Sequence, residues 1–207
     1  MPWPADAPLA GRQLLIFDLD GTVADTAPAH EAAFNAILAR FGITVDYPEI
    51  AGLRTDEALD KVLRDHGITV PAEERARLIE EKRVAARAAL HDVAPLPGAL
   101  DFIAWARPRY RLAMASSGSG ASVRLVIDRL GLSGCFDPLV SGDEVAHPKP
   151  DPEPFRRCLE LTGIAADAAL VFEDADAGMA SARSAGIATV RIGAGANDWR
   201  DLLEAAA

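Results

Sequence analysis

The chain has 207 residues, half of them apolar and a quarter charged, which is enough to bury a full core and ordinary for a soluble globular protein. Its formal net charge of −10 excludes an extended nucleic-acid surface, which needs a stripe of lysine and arginine, but leaves room for a small anionic ligand held by a few local cations. Cys135 and Cys158 form no CxxC pair, MPWPADAPLAGRQ lacks the basic and apolar parts of a signal peptide, and no apolar stretch nears the roughly 20 residues of a membrane span. A cytoplasmic protein without nucleic-acid or membrane partners is expected.

In chain order, Leu14–Leu19 reads as a short buried strand that runs into two carboxylates, Asp18 and Asp20. The region from Ala27 to Ala94 then holds three helical stretches, 29–41, 56–66 and 72–91, and no convincing strand. Its mixed-sign run EERARLIEEKR (73–83) is a solvated helix face. Further strands are expected at Arg111–Ala115, Ala169–Phe172 and Thr189–Ile192, with a weaker one at Pro138–Ser141. Between them lie helical patterns at 121–132, stopped by Gly131, at 151–163, with early prolines and a closing Gly163, and at 176–186. The Ala-rich tail reads as a frayed final helix.

Strands alternating with helices predict an α/β fold: a Rossmann-like parallel sheet with helices on both faces. The helical block interrupts that alternation and reads as an insertion, with proline-rich joints at DTAP (25–28) and APLPG (94–98). The expected organisation is a core domain of residues 1–26 and 96–207 and a helical cap domain of residues 27–95.

Ligands of open α/β sheets bind beyond the carboxyl ends of the strands. The residues just past the predicted strands are Asp18, Asp20, Gly21 and Thr22, then Ser116, Ser117 and Gly118, then Lys149 in HPKPDP, then Glu173 and Asp174. Two carboxylates as close as Asp18 and Asp20 resist ionising together unless a positive charge or a reaction accounts for them. Clustered hard oxygens suit Mg²⁺. A carboxylate freed by that charge can attack phosphorus, a second acid can protonate the leaving oxygen, and a lysine can offset the negative charge on the phosphoryl oxygens.

DLDGT, the serine closing LAMASSGS, the lysine of HPKPDPEPF and VFEDADAGMASARSAG resemble, in order, the four motifs of the haloacid dehalogenase superfamily. The helical insertion is similar to the cap of its subfamily I. The resemblance implies Asp18 as nucleophile, Asp20 as general acid/base, and Ser116 and Lys149 on the phosphoryl group. It also implies a Mg²⁺ site of Asp18, the Asp20 backbone carbonyl and Asp174, with Glu173 beside it. Asp20 separates the chain from the metal-free dehalogenases. Phosphonatases are similar too, but their cap-borne lysine motif has no clear counterpart. Phosphoglycolate phosphatases share the DGT start but differ at Ser116–Ser117 and at Glu173–Asp174, where this chain looks more like β-phosphoglucomutase-like sugar-phosphate phosphatases.

In the cap, the same resemblance implies substrate-side roles for His30, Gly52, Arg54 and Lys82. The mutase carries an arginine for a second phosphate three residues after that glycine. Here Thr55 stands at that place and Arg54 one residue earlier, which favours hydrolysis. The expected protein is a monomeric, Mg²⁺-dependent phosphatase of a small phosphorylated metabolite such as a sugar phosphate. A sugar-phosphate mutase is the alternative; a phosphoglycolate phosphatase or a non-catalytic phospho-ligand binding module stands behind it. His66, His91, His147, Trp3, Trp105 and Trp199 read as structural, Asp176 as a helix first-turn acid and Asp25 as a hinge residue.

Overall fold

The computed structural model describes residues 9–193 and 197–206; Trp3 lies outside them. From the N-terminus the strands are β1 (Leu14–Phe17), β2 (Ala24–Asp25), β3 (Ala94–Pro95), β4 (Arg111–Ala115), β5 (Leu139–Val140), β6 (Ala169–Glu173) and β7 (Ala188–Arg191). The helices are α1 (Ala27–Leu38), α2 (Thr55–Asp65), α3 (Ala72–Ala89), α4 (Ala99–Ala106), α5 (Gly120–Arg129), α6 (Glu153–Thr162), α7 (Asp176–Ser184) and α8 (Trp199–Ala206). Five strands form one parallel sheet in the order β5-β4-β1-β6-β7, with β1 at its centre. None of the described helices is long and apolar enough to cross a membrane.

The alternation of side chains along β1 explains why both sheet faces are covered. Leu15 and Phe17 join one cluster with residues of α4, α5 and α8, whereas Leu14 and Ile16 join another with Phe155 and Cys158 of α6 and Ala182 of α7. A third cluster, from Phe34 to Leu78, is made wholly by the helical block between β2 and β3. That block is tied to the sheet by the two-residue antiparallel ladder of β2 with β3, in which Ala24 pairs with Pro95 and Asp25 with Ala94.

Four details depart from the sequence expectation. The first strand stops at Phe17 rather than Leu19, because the amides of Val23 and Ala24 fold back onto the Leu19 carbonyl at 3.0 and 2.9 Å. The β2–β3 ladder and α4 were not expected: two-residue strands carry no periodicity, and ALDFIAWA is too uniformly apolar to show one. The final helix is docked, not frayed. Trp199 is 1% exposed, its indole N–H donates to the Thr22 carbonyl at 2.7 Å, and its ring lies 4.9 to 5.7 Å from those of Phe17, Phe102 and Phe172. The other structural assignments agree: Asp176 opens α7, Asp25 sits in the β2–β3 ladder, and His66, His91 and His147 bond to Val62, Arg129 and Glu153.

Candidate active site

The ends of β1, β4 and β6 meet on one edge because their register is level: Phe17 pairs with Met114 on one side and with Phe172 on the other. The Asp18 amide continues the ladder to the Phe172 carbonyl at 3.0 Å, and the Ser116 amide continues β4 to the Val140 carbonyl at 3.0 Å. Asp18, Ser116 and Glu173 therefore stand side by side although they come from distant parts of the chain.

Lys149 organises this edge. Its ammonium donates to Asp18 Oδ1 at 2.6 Å, Glu173 Oε1 at 2.7 Å and the Ala115 carbonyl at 3.0 Å, so all three donors are used while the side chain is 1% exposed. Burial works against its charge, but Asp18 and Glu173 raise its pKa above the ordinary lysine value. The other Glu173 oxygen accepts the Ala175 amide at 2.7 Å. Room for that carboxylate exists only because residue 178 is glycine: a Cβ there would lie 1.7 Å from Glu173 Oε1.

Beside this pair lies Asp174, which accepts from Thr22 Oγ1 at 3.2 Å. Gly21, at φ +82°, passes so close that a Cβ would lie 2.2 Å from Asp174 Oδ2. Oxygens of Asp18, Glu173 and Asp174 all lie within 4.8 Å of one another. Three carboxylates thus share one ammonium in a buried space. The pKa of Asp18 is raised well above its ordinary value, first by burial and then by Glu173, Asp174 and Asp20, against the pull of Lys149. Burial and then Glu173 push Asp174 up to about 7. This surplus of hard oxygen donors fits a divalent cation such as Mg²⁺. Since Glu173 is committed to Lys149 and the Ala175 amide, Asp18 and Asp174 are the side chains with oxygens to offer.

Asp20, two residues from Asp18, turns to a different set of partners. It accepts from Thr26 Oγ1 at 2.7 Å and Ser116 Oγ at 3.1 Å, and His30 Nε2 lies 3.2 Å away. Burial alone would raise its pKa, but the hydrogen bond from His30, with those from Thr26 and Ser116, holds it well below the usual carboxylate range. Behind His30 the chain of contacts continues. Lys82 Nζ is 3.0 Å from His30 Nδ1 and 3.4 Å from Thr55 Oγ1, and it lies over the Phe34 ring at 4.5 Å. An ammonium donating to Nδ1 leaves the ring proton on Nε2, facing Asp20. Burial lowers the Lys82 pKa to about 8.

Of the remaining expected residues, Gly118 donates its amide to Ser116 Oγ at 3.0 Å, and Ser117 Oγ donates to the Gly52 carbonyl at 2.8 Å. Gly52, at φ +79°, lies so near Ala175 that a Cβ would meet its methyl at 2.7 Å. These contacts join the helical block to the sheet edge. Arg54 is not brought to this centre. Its guanidinium is bidentate on Asp56 at 2.6 and 2.8 Å, and it lines a separate groove with Arg83 and Asp143. Two participants were missed in the sequence. Thr26 sits in the DTAP joint, where only its neighbours drew notice. Tyr47 stacks on His30 and, with Gly21 and Asp174, lines a cavity of about 820 Å³; a lone aromatic in a loop gives no periodic signal.

Residues 15–192 match the family model of the haloacid dehalogenase-like hydrolases, and the chain belongs to that family. It is 33% identical over 182 residues to the fructose-1-phosphate phosphatase YqaB of Escherichia coli K12, covering 86% of this chain and 95% of that protein. It is 32% identical over 200 residues to the phosphorylated carbohydrates phosphatase of Thermotoga maritima, covering 94% and 92%. The crystal structure of β-phosphoglucomutase from Clostridium difficile superposes with a TM-score of 0.81 at 25% identity, covering 93% of this chain and 88% of that one.

Proposed function

We propose that the protein is a Mg²⁺-dependent phosphatase of a small phosphorylated metabolite, a sugar phosphate, acting through a phosphoaspartate on Asp18. The observation that carries this reading is the division of labour between two neighbouring carboxylates: Asp18 stands with Lys149 and Asp174, and Asp20 with Ser116, Thr26 and His30. The likeness to YqaB and to the Thermotoga maritima phosphatase supports the substrate class.

Asp18 attacks phosphorus in line with the ester oxygen. Ser116 turns its hydroxyl from Asp20 to a phosphoryl oxygen, and Lys149, its three N–H bonds held by Asp18, Glu173 and the Ala115 carbonyl, offsets the phosphoryl charge and keeps Asp18 oriented. Asp20, ionised at the outset, relays to the departing oxygen the proton that His30 holds on Nε2 while Lys82 gives one to Nδ1, and afterwards takes a proton from the water that hydrolyses the acyl phosphate and returns it along the same path. A cation held by Asp18, Asp174 and the Asp20 carbonyl would neutralise charge on Asp18 and on the phosphoryl group. Residues 27–95 act as a cap that swings on the β2–β3 ladder, excludes bulk water when shut and carries His30 and Lys82 to Asp20.

Phosphate release from a panel of sugar monophosphates, with Mg²⁺ and then with chelator, tests this. Chelator-sensitive release that falls by roughly 10⁴ or more in Asp18→Asn is expected. Full activity in that variant would remove Asp18 as nucleophile. Conversion of glucose 1-phosphate to glucose 6-phosphate without released phosphate would make the protein a mutase, against the pairing of Arg54 with Asp56.

A further inference from the structure

Tyr47 opens a short 3-10 turn (Tyr47–Glu49) in the helical block. Its amide is held by Glu31 Oε2 at 3.2 Å, and its ring stacks on His30 with centroids 5.8 Å apart and planes 14° from parallel. The ring is thus fixed from two sides, yet among the described residues the hydroxyl has no hydrogen-bond partner. A half-buried tyrosine with its ring packed on the wall of a cavity, and no protein acceptor for its hydroxyl, has a donor to offer a ligand there. The phenol keeps its proton strongly, first through burial and then through the negative charges of Asp20, Asp174 and Asp18. It is therefore a donor throughout the working pH range, and it lies close enough to feel all three reaction-centre carboxylates.

The cavity that Tyr47 lines runs to Gly21 and Asp174, and at about 820 Å³ it has the volume of a small-molecule site. Its charged wall is one-sided: Asp25, Glu31, Asp46 and Glu49 face Arg191, which is already tied to Asp176 and to the Asp174 carbonyl. Arg54, the other cation expected near a substrate, is closed on Asp56 in a different groove. Hydroxyl groups would find acceptors in those carboxylates, whereas a second phosphate or a carboxylate would enter against their charge.

We propose that the Tyr47 hydroxyl binds the leaving group from the cap side, and that its cavity selects an uncharged polyol over a leaving group with a second anion. This rests on the phosphatase reading above. Tyr47→Phe keeps the ring on His30 and removes only the donor. The kcat/KM ratio of fructose 1-phosphate to p-nitrophenyl phosphate, whose leaving group lacks the polyol, should fall about tenfold in that variant. An unchanged ratio, or equal loss on both esters, overturns the role of Tyr47. The wild type should prefer fructose 1-phosphate to fructose 1,6-bisphosphate by about tenfold; equal turnover overturns the charge selection. Calorimetry in an Asp18→Asn background separates this inference from the reading beneath it. There Tyr47→Phe should weaken fructose 1-phosphate relative to inorganic phosphate, and parallel weakening overturns it, whether or not the wild type releases phosphate.

Discussion

The two halves of the site hold charge by opposite means. At the sheet edge, Lys149 is locked between Asp18 and Glu173 by three short contacts and is 1% exposed, on strand ends whose register is set by ladder hydrogen bonds. In the helical block, Lys82 is also buried, but it rests on a histidine, a hydroxyl and an aromatic face, with no carboxylate in contact among the described residues, and its pKa falls to about 8. One lysine is a fixed cation in a rigid frame. The other is a marginal cation at the end of a chain that reaches Asp20 only through His30. In the reaction proposed above, that difference would suit their places, because a phosphoryl group needs an unchanging field and a departing oxygen needs a proton that can move.

The largest effect that could break this contrast is Lys149→Met. It leaves Asp18, Glu173 and Asp174 together without their ammonium, and breaking such a buried pair should cost about 3–5 kcal/mol in unfolding free energy, read as a lower melting temperature with turnover abolished. Unaltered stability would mean that Lys149 does not offset the charge gathered at Asp18, Glu173 and Asp174.

His30→Ala sharpens the cap side. His30 holds the Asp20 pKa down, so its loss raises that pKa. Asp20 must be ionised to accept a proton from water, and the acid limb of the kcat profile should therefore move to higher pH, with a rate loss of roughly 10²-fold for impaired proton transfer. An acid limb that stays in place would uncouple His30 from Asp20. The smallest effect is expected for Arg54→Ala. The ion pair with Asp56 is part-exposed and outside the cavity, so stability should change by about 0–1 kcal/mol and turnover of sugar monophosphates by less than about twofold. A large rise in KM would place Arg54 on the substrate after all.

Much of the sheet edge was legible in the chain, since apolar runs of four or five residues ending in Asp18, Ser116 and Glu173 mark strand ends wherever the strands pair. Lys149 could be placed there by the order of the motifs, but nothing in HPKPDP says that it spans two carboxylates. The docked tail and the β2–β3 ladder were not legible. An Ala-rich end hides one decisive aromatic, Trp199, and a two-residue strand has no pattern of its own. The partner of Arg54 lay only two residues away, at Asp56, yet proximity in sequence does not say which of several acids a long side chain will choose.

The sequence by itself determined the α/β order, the insertion and the set of polar residues delivered to one edge, because hydrophobic periodicity and turn chemistry are local properties that survive without knowing the fold. Only the tertiary structure decided how those residues divide into an Asp18–Lys149–Glu173 group and an Asp20–His30–Lys82 chain. It also decided that Tyr47 faces the cavity and Arg54 does not. Those choices rest on distances between segments that the chain brings together only when its separate apolar clusters form, and no local pattern encodes them.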